Sequence, residues 1–223
     1  MKENYHEIFL DELETVDNLE EVIKNIDRIN LGCGYEIKQG WLNIGLFYEE
    51  YIKYNEMKKI DNAYIYHIDI LDKFPVAENS INYIYASHLI EHFDFNTGIE
   101  ILKRCYQSLK KGGVIRLIFP DLKLWIEKYI NNDDEFFNKY YNHTKKYGLP
   151  DLRTNGEIFV TQFFNWGHKW GYDFESIKDV LGRVGFTTII KKEINDSLIP
   201  NIKYIENQDE IKKMESIYID VIK

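Results

Sequence analysis

Short apolar runs alternate with helix-periodic stretches along most of the chain. Each run ends at glycine, proline or polar residues, as buried strands do. Several runs are apolar at consecutive positions, which predicts a sheet that helices cover on both faces. The alternation of strands and helices predicts a doubly wound α/β sheet. The predicted strands are Arg28–Leu31, Leu42–Phe47, Tyr64–Leu71, Ile81–Ala86, Val114–Phe119, Thr187–Ile194 and Ile217–Ile222.

Apolar stripes and capping residues indicate the helices between these strands. Apolar residues at helical spacing predict a helical N-terminal extension over residues 1–26. A second helix should start at Thr97, whose spacing to Glu100 is that of a capping box, and end at Gly112–Gly113. A further helix is expected after Asp173, which can cap it.

The stretch 121–173 has a weaker pattern. Its first half predicts two helices separated at Asn131, and its second half is aromatic and glycine-rich without a period. Because it lies between the fifth and sixth predicted strands, it is expected to cover a pocket. The aromatic residues expected to line that pocket, or to pack in a lid, are Phe159, Phe163, Phe164, Trp166 and Trp170.

Composition narrows the class of protein. The 223 residues include 28 Lys and Arg against 37 Asp and Glu, a formal net charge of −9, and 44% are hydrophobic. This apolar content excludes a disordered chain, and no apolar run approaches the roughly 20 residues of a membrane helix. Net acidity argues against binding along a nucleic-acid backbone, and the acidic N-terminus does not resemble a secretory signal. We therefore expect one cytoplasmic domain with neither a membrane nor a nucleic acid as partner.

A glycine turn, Leu31–Gly34, follows the first of these strands and is the first candidate binding feature. Glycines there let the backbone turn tightly and approach a ligand, and exposed N–H groups can hold an anion. No Gly-Lys-Ser or Gly-Lys-Thr follows, which argues against nucleoside triphosphate hydrolysis. Cys33 within the turn is interpreted as a small buried spacer rather than a nucleophile. By itself the turn is equally compatible with an ordinary strand-to-turn glycine pair.

An ordered set of motifs places this turn in a wider context. In this order and spacing the sequence resembles class I S-adenosylmethionine (SAM)-dependent methyltransferases, strongly over about residues 27–122 and weakly beyond them. The resemblance implies SAM as cofactor and a Rossmann-like, seven-stranded doubly wound sheet with its last strand antiparallel and helices on both faces. The motifs are Asn30–Gly34, Gly40–Ile44, His67–Leu71, Phe74–Pro75, Asn79–His88, Leu89–Phe93, Leu109–Gly113 and Arg116–Leu122.

The resemblance divides the single domain, residues 1–223, into four parts. A helical extension (1–26) precedes a cofactor-binding half (27–120). An acceptor-covering insertion (121–173) and a closing helix with two strands (174–223) follow.

The resemblance also assigns roles at the carboxyl ends of the first four strands. The turn Gly32–Gly34 would lie against the methionine part of the cofactor. Asp69 would bind the adenine amino group with Ile70 beside the ring, although Asp69 also suits a strand-end turn. Ser87 and His88 would lie by the reactive methyl group. The predicted cofactor-binding residues are Leu31, Gly32, Cys33, Gly34, Gly45, Leu46, Asp69, Ile70, Ser87 and His88.

One position departs from the family pattern. Members usually carry an acid at the end of the second strand, where it binds the ribose hydroxyls, and Gly45 occupies that place here. Charge-assisted hydrogen bonds of this kind are worth roughly 1.5–3 kcal/mol each, so their loss should weaken cofactor binding. The candidate substitutes are Asn43, Glu49 and Glu50. The alternative is a degenerate methyltransferase fold kept as a binding or scaffold protein.

Candidate catalytic residues come from the later motifs. Methyl transfer needs alignment and, for a hydroxyl acceptor, a base. The candidates are His88, His92, Asp121 and His168, and a structural role is as compatible with each histidine.

A competing motif overlaps two of these histidines. Residues 88–92 also match H-x-x-E-H, a zinc-hydrolase pattern in which two histidines of one helix share the ion. The position of the pattern at the end of a buried strand argues against a zinc hydrolase that uses His88 and His92. We therefore predict no metal ligands.

The sequence thus predicts a SAM-dependent methyltransferase that acts on an oxygen or nitrogen of a small molecule. The expected acceptor class is a sugar- or nucleotide-linked intermediate of surface-glycan or natural-product assembly. The expected protein partner is a second copy of the chain or a paralogue.

Overall fold

The computed structural model describes residues 13–47, 49 and 51–223, which contain one nine-stranded sheet. The strands are β1 (Glu14–Thr15), β2 (Arg28–Leu31), β3 (Leu42–Gly45), β4 (Met57–Ile60), β5 (Ala63–His67), β6 (Ile81–Ser87), β7 (Leu109–Pro120), β8 (Thr188–Lys192) and β9 (Ser216–Ile222). Their order across the sheet is β1-β4-β5-β3-β2-β6-β7-β9-β8.

Five neighbouring strands, β5-β3-β2-β6-β7, run parallel, and β9 joins β7 antiparallel. The predicted Rossmann-like α/β class with an antiparallel last strand is therefore confirmed. The predicted count of seven strands is wrong, because β4 pairs with β5 and β1 pairs with β4 beyond that edge. Both extra strands are short, and β4 has Lys58 and Lys59 at its centre, so neither forms a recognisable apolar run.

Seven α-helices lie among the described residues. None of them is long and apolar enough to cross a membrane. They are α1 (Leu19–Asn25), α2 (Phe95–Ser108), α3 (Leu122–Ile130), α4 (Asp134–Thr144), α5 (Asn155–Phe164), α6 (Phe174–Val184) and α7 (Glu210–Glu215).

One face of the sheet, here called the helical face, packs against α1, α2 and α6. Alternate residues of the central strands point to this face, and their buried side chains form the main apolar core. Full burial of such side chains contributes roughly 1.5–3 kcal/mol each. The sheet side chains include Ile29, Leu31, Ile44, Ile84, Ile115, Leu117 and Ile219, and the helix side chains include Leu102, Cys105, Ile177 and Leu181.

The opposite face, here called the loop face, is covered by an irregular segment, residues 193–209. This covering segment contains one 3-10 turn, Ile202–Tyr204, and no α-helix, so the predicted helices on both faces are found on only one face among residues 13–47, 49 and 51–223. The strand positions on this face are largely polar or aromatic rather than aliphatic. They include Asn30, Asn43, Tyr85, Arg116, Tyr218 and Asp220, all buried.

Polar sheet residues satisfy the backbone of the covering segment. Arg116 donates to the Glu193 carbonyl oxygen (2.8 Å) and pairs with the buried carboxylates of Glu206 and Asp220. Asp220 accepts the backbone N–H of Leu198 (2.6 Å). A helix satisfies its own N–H and C=O groups, but an irregular buried segment must find side-chain partners for them.

The connection from β2 to β3 is also irregular. Parallel neighbours are usually joined through a helix, but residues 32–41 contain none. Asn43 holds this connection from within the sheet: its Oδ1 accepts the Lys38 N–H (2.8 Å), and its Nδ2 donates to the carbonyls of Lys38 and Trp41. Asn30 donates both to Asn43 Oδ1 (2.9 Å) and to the Glu36 carbonyl (2.7 Å).

Several local predictions are corrected by the structure. Helix α2 begins after Asp94, whose carboxylate accepts the N–H groups of residues 96 and 97, rather than at Thr97. It ends at Ser108, and Gly112–Gly113 lie within β7 at an irregularity of the strand pairing. Of the predicted helical extension 1–26, residues 1–12 lie outside the described residues, and the rest is helical only from Leu19 to Asn25.

In the predicted insertion and closing part, one prediction is confirmed and one helix was not predicted. Asp173 caps α6, as predicted. In the aromatic stretch, where no period was visible, the structure forms α5, which Thr154 and Glu157 begin with a capping box.

Candidate active site

The glycine turn lies at the carboxyl end of β2 and leaves room for a ligand. Gly32 and Gly34 have φ angles of +66° and +51°, a region that favours glycine. A side chain at Gly32 would overlap Leu89, whereas nothing lies within 4 Å of a β-carbon at Gly34, which is exposed. Cys33 donates its N–H to Ile44 (3.0 Å), so the turn is tied to β3 while its outer side stays open.

Gly45, at the carboxyl end of β3, lies against the same turn. A β-carbon here would be 3.2 Å from Cys33 Sγ and 3.6 Å from the Gly34 nitrogen. The thiol of Cys33 is buried, and burial raises its pKa to about 12, so it is a spacer rather than a thiolate. The Cys33 sulfur therefore fills the space beside Gly45, the position where an acid was expected from the sequence resemblance. The next residue, Leu46, is 64% exposed.

The candidate substitutes for that acid have different surroundings. Asn43 is fully buried and bound to the β2–β3 connection, so its amide does not reach the ligand side. Glu49 lies in an exposed turn. Glu50 lies outside the described residues.

Asp69 follows β5 and lies at the same edge of the sheet. Its Oδ1 accepts the Leu71 N–H (2.8 Å), so the carboxylate forms a turn whether or not it binds a ligand. Its own N–H donates to the Tyr54 hydroxyl (3.4 Å), and that hydroxyl donates to Asp72 (2.5 Å). Ile70 is buried beside it. Sequence reasoning missed Tyr54, which lies in a turn before β4 without a motif.

Ser87 ends β6 at this edge, and His88 follows it. His88 has a φ of +50°, which is uncommon for a residue with a side chain and occurs often at functional sites. Its Nε2 lies 2.9 Å from the Ser216 hydroxyl and its Nδ1 lies 3.3 Å from Glu91 Oε1. Both ring nitrogens are thus engaged, which makes His88 a positioning residue rather than a free base.

A cavity of about 300 Å³ opens beside His88, and we call it the histidine cavity. Residues of the predicted insertion form one side of it, and α7 with its flanking residues forms another. The lining residues include His88, His92, Tyr140, His143, Thr144, Tyr147, Gln162, Trp166, His168, Asp209, Lys212 and Glu215. The structure therefore brings three of the four predicted catalytic residues to one cavity.

His92 and His168 lie edge to face in this cavity, with ring centroids 4.9 Å apart. Nδ1 of His168 lies 2.6 Å from the Gln162 carbonyl oxygen, so it carries the hydrogen and Nε2 keeps its lone pair. Burial lowers the pKa of His168, so its ring is neutral at neutral pH. The backbone carbonyl of Glu91 accepts the N–H groups of Lys169 and Trp170, which attaches the insertion to the segment after β6.

Two buried carboxyl groups adjoin these histidines. Burial would raise the pKa of Glu91, but the neighbouring imidazoles of His88 and His92 hold it below its usual range. Neither carboxylate oxygen of Glu91 has a hydrogen-bond partner among the described residues. Burial raises the pKa of Glu215 to about 7. Glu91 belonged to a motif in the sequence, but Glu215 had no sequence signal, because its burial depends on the packing of α7.

Asp121, the fourth predicted catalytic residue, is outside this cavity lining. Its Oδ1 accepts the N–H groups of Lys123 (3.1 Å) and Leu124 (3.4 Å) and so caps α3. Of the five aromatic residues expected at the pocket, Trp166 lines the cavity and donates to the Tyr140 hydroxyl (2.8 Å). Phe159 packs against Trp125, and Phe164 is 82% exposed.

The H-x-x-E-H pattern does not form the arrangement of a zinc hydrolase. His88 lies in a turn, and Ile90–His92 form a 3-10 helix, so the two histidines do not share an α-helix. Among the described residues, the grouping that could hold a metal ion is Glu91, His92 and His168, without His88.

Comparison with known proteins finds likeness in structure only. No protein-family model and no curated protein matches the chain. It is similar in structure to a SAM-dependent methyltransferase from Archaeoglobus fulgidus, at 15% identity and a TM-score of 0.45, over 90% of this chain and 88% of that one. A SAM-dependent methyltransferase from Mesorhizobium loti has 12% identity and a TM-score of 0.49, over 90% and 92% of the two chains.

A third similar structure is larger. It is phosphoethanolamine N-methyltransferase 2 from Haemonchus contortus in complex with SAM, at 13% identity and a TM-score of 0.47. The likeness covers 90% of this chain and 49% of that one. At these identities and TM-scores the comparisons assign no activity to this chain.

Proposed function

We propose that this chain is a SAM-dependent methyltransferase that transfers a methyl group to an oxygen or nitrogen of a small molecule. The observation that carries the proposal is that the predicted cofactor-binding segments meet at one edge of the sheet. Four separate segments, which end in Gly34, Gly45, Asp69 and Ser87, were predicted to bind the cofactor. Their strands are parallel neighbours, so these ends meet at the carboxyl edge, where doubly wound sheets bind ligands.

The residues at this edge fit the proposed cofactor. The glycine turn has open space where a side chain at Gly34 would lie, which suits the methionine part of the cofactor. Asp69 keeps one carboxylate oxygen without a partner among the described residues, and we assign that oxygen to the adenine amino group. When bound, SAM supplies a methyl group on a positively charged sulfur, which an acceptor lone pair can displace in line.

The histidine cavity suits the acceptor. Its volume of about 300 Å³ is at the lower end for small-molecule sites, which fits a sugar-sized group of a larger acceptor. Tyr140 and Trp166 exclude water from one side of it, and His88 joins it to the end of β6, where the methyl group is expected. Because Asp121 caps a helix and His88 is engaged at both nitrogens, an acceptor proton would leave through the cluster of Glu91, His92 and His168.

Calorimetry with SAM and S-adenosylhomocysteine tests the cofactor site. We expect binding in the micromolar range, and absence of binding at millimolar ligand overturns the proposal. Gly32→Ala should weaken binding at least about tenfold, because its methyl group overlaps Leu89 and displaces the turn. Gly148→Ala is the matched control, since Gly148 also has a positive φ (+95°) but has nothing within 4 Å.

The acceptor site has its own test. Release of S-adenosylhomocysteine should be screened against sugar- and nucleotide-linked hydroxyl and amine acceptors. With an active acceptor, Trp166→Ala should raise the KM for that acceptor and leave SAM affinity unchanged, since Trp166 lines only the cavity. A changed SAM affinity with an unchanged acceptor KM would contradict this assignment.

The second candidate is a degenerate methyltransferase fold that serves as a binding or scaffold protein. The observation in its favour is that Cys33 Sγ occupies the space beside Gly45, 3.2 Å from a β-carbon there. Gly45→Asp, combined with Cys33→Ala to make room, restores the missing acid. If SAM affinity rises from an undetectable level to the micromolar range, degeneration is favoured. If the parent already binds at micromolar concentration, other residues hold the ribose.

A further inference from the structure

A carboxylate and two imidazoles meet where the histidine cavity adjoins the segment after β6. Glu91, His92 and His168 each offer one ligand atom, and these atoms lie within 4.8 Å of one another. Around a tetrahedral zinc ion, ligand atoms are about 3.4 Å apart. The separations would therefore have to shrink by at most about 1.4 Å, a change that rotation of the partly exposed His92 side chain can provide.

The Glu91 carboxylate lacks the partners that a buried charge requires. Glu91 is 2% exposed, and neither carboxylate oxygen has a hydrogen-bond partner among the described residues. Burial of an ionised carboxylate without hydrogen bonds is costly, and native structures almost always satisfy such groups or place them on a metal. The nearest side-chain nitrogen with an ion-pair contact is His88 Nδ1, 3.3 Å from Oε1. A carboxylate oxygen of Glu91 also lies within 4.8 Å of a ring nitrogen of His92 and of His168.

His168 has the supporting hydrogen bond that metal-binding histidines usually have. Its Nδ1–H donates to the Gln162 carbonyl oxygen (2.6 Å), which fixes the ring and leaves the Nε2 lone pair free. A backbone carbonyl on the far nitrogen is a typical support for a histidine ligand. His92 has no hydrogen bond to either ring nitrogen among the described residues and packs against the His168 ring.

We propose that Glu91, His92 and His168 form a binding site for a divalent transition-metal ion of the zinc type. Two imidazoles and one carboxylate suit zinc and similar ions, whereas magnesium and calcium require oxygen ligands. The site differs from the zinc-hydrolase hypothesis, because His88 is not a ligand. His88 instead supports the Glu91 carboxylate from behind and is held by Ser216 (2.9 Å).

The open side of this site is the histidine cavity. An acceptor hydroxyl there can become the fourth ligand, and a bound cation lowers the pKa of such a hydroxyl. With the ion in place, Glu91, His92 and His168 act as ligands rather than as proton acceptors, so the hydroxyl proton passes to solvent water in the open cavity. This role rests on the proposed methyltransferase function, whereas metal binding itself does not.

The test is a zinc titration of the full-length chain after removal of metal with a chelator. Competition with a chromophoric chelator measures affinity, and cobalt substitution gives visible absorption bands that report the coordination geometry. We expect one equivalent of zinc, and little competition from magnesium. Glu91→Gln, His92→Asn and His168→Asn should each weaken zinc binding by more than the roughly 10–100-fold that loss of a supporting residue costs.

His143→Asn is the matched control. His143 also lines the cavity and lies next to a carboxylate, Asp209 (3.1 Å), but it is outside the cluster. Its zinc affinity should equal that of the parent, and loss of binding in this variant alone would overturn the proposal. If Glu91→Gln binds zinc as tightly as the parent, Glu91 is only the ion-pair partner of His88 and the proposal also fails.

Folding and function are separated by two further measurements. Circular dichroism identifies a variant that does not fold, and the partly exposed His92 and His168 positions keep the test available if Glu91→Gln fails to fold. SAM binding is measured on the same samples. Zinc binding without SAM binding would contradict the proposed function and leave the metal site intact, whereas SAM binding without zinc binding would overturn the metal site alone.

Discussion

The two faces of the sheet are stabilised by different chemistry. The helical face is apolar in the sheet and in the helices that cover it. The loop face instead carries Asn43, Arg116 and Asp220 within the strands, and these side chains bind the backbone of irregular chain. The difference follows from the covering backbone, because helices satisfy their own polar groups and irregular segments do not. A sheet face that lacks covering helices therefore needs polar side chains in its strands.

The largest effect is expected on the loop face. Arg116→Met leaves the carboxylates of Glu206 and Asp220 buried without their cation, and it removes a partner of the Glu193 carbonyl. Loss of one member of such a buried network costs about 3–5 kcal/mol. Urea unfolding should show this as a large fall in the free energy of unfolding.

Two further variants test the cause. Arg116→Lys keeps the charge, but an ammonium group lacks the planar guanidinium that binds Glu206, Asp220 and the Glu193 carbonyl together. The free energy of unfolding of this variant should therefore still be clearly lower than that of the parent. The triple variant Arg116→Met, Glu206→Gln, Asp220→Asn removes all three charges and should recover part of the loss. If the triple variant is no more stable than Arg116→Met alone, unpaired charge is not the cause.

The helical face should respond to volume rather than to charge. Leu102 is fully buried between α2 and the sheet, so Leu102→Ala should cost about 3 kcal/mol through the cavity it leaves. Leu102→Met conserves volume and should cost less than about 1.5 kcal/mol. Thermal unfolding of the three proteins measures this. If Leu102→Met is as unstable as Arg116→Lys, the two faces do not differ in their sensitivity to volume and charge.

The same contrast explains which parts of the fold the sequence predicts. Stripes such as Ile177 and Leu181 repeat locally, so α6 and its cap Asp173 are visible without a structure. The covering segment 193–209 has no period, because its position depends on contacts with distant residues such as Arg116. Polar residues inside β2, β3 and β7 were the available signal, since a strand under a helix rarely buries asparagine or arginine.

A smaller effect is expected at the β2–β3 connection. Asn43→Ala removes the side chain that binds Lys38 and Trp41 backbone groups, which leaves buried polar groups unpaired. We expect a loss of about 2 kcal/mol, and weaker SAM binding because the glycine turn begins this connection. Asn25→Ala is the control, because Asn25 donates one exposed hydrogen bond to Glu21 and should change stability by less than about 0.5 kcal/mol. Urea unfolding measures the stability of both variants, and calorimetry measures their SAM affinity. If Asn43→Ala and Asn25→Ala lose equal stability, Asn43 does not hold the β2–β3 connection.

The sequence predicts those residues of the candidate site that come directly after a strand. Gly34, Asp69 and Ser87 follow apolar runs, and parallel strands bring such ends to one edge. Tyr140 and Glu215 come from α4 and α7, and no periodicity indicates that these helices meet at the histidine cavity. Asp121 shows the opposite error, because a strand-end acid resembles a catalytic residue whether it binds a ligand or caps the next helix.

The smallest effect on stability is expected at Gly45, which ends β3 at the carboxyl edge of the sheet. Gly45→Ala places a methyl group 3.2 Å from Cys33 Sγ, a contact that is tight but relieved by a small shift, so the cost should be about 1 kcal/mol. Cys33→Ala removes that sulfur and leaves a small cavity with a cost of its own. If the two side chains compete for one space, the double variant should be more stable than the sum of the single losses by about 0.5–1 kcal/mol. Additive losses would mean that the edge can expand at Gly45, and an acid there would then need no change at Cys33.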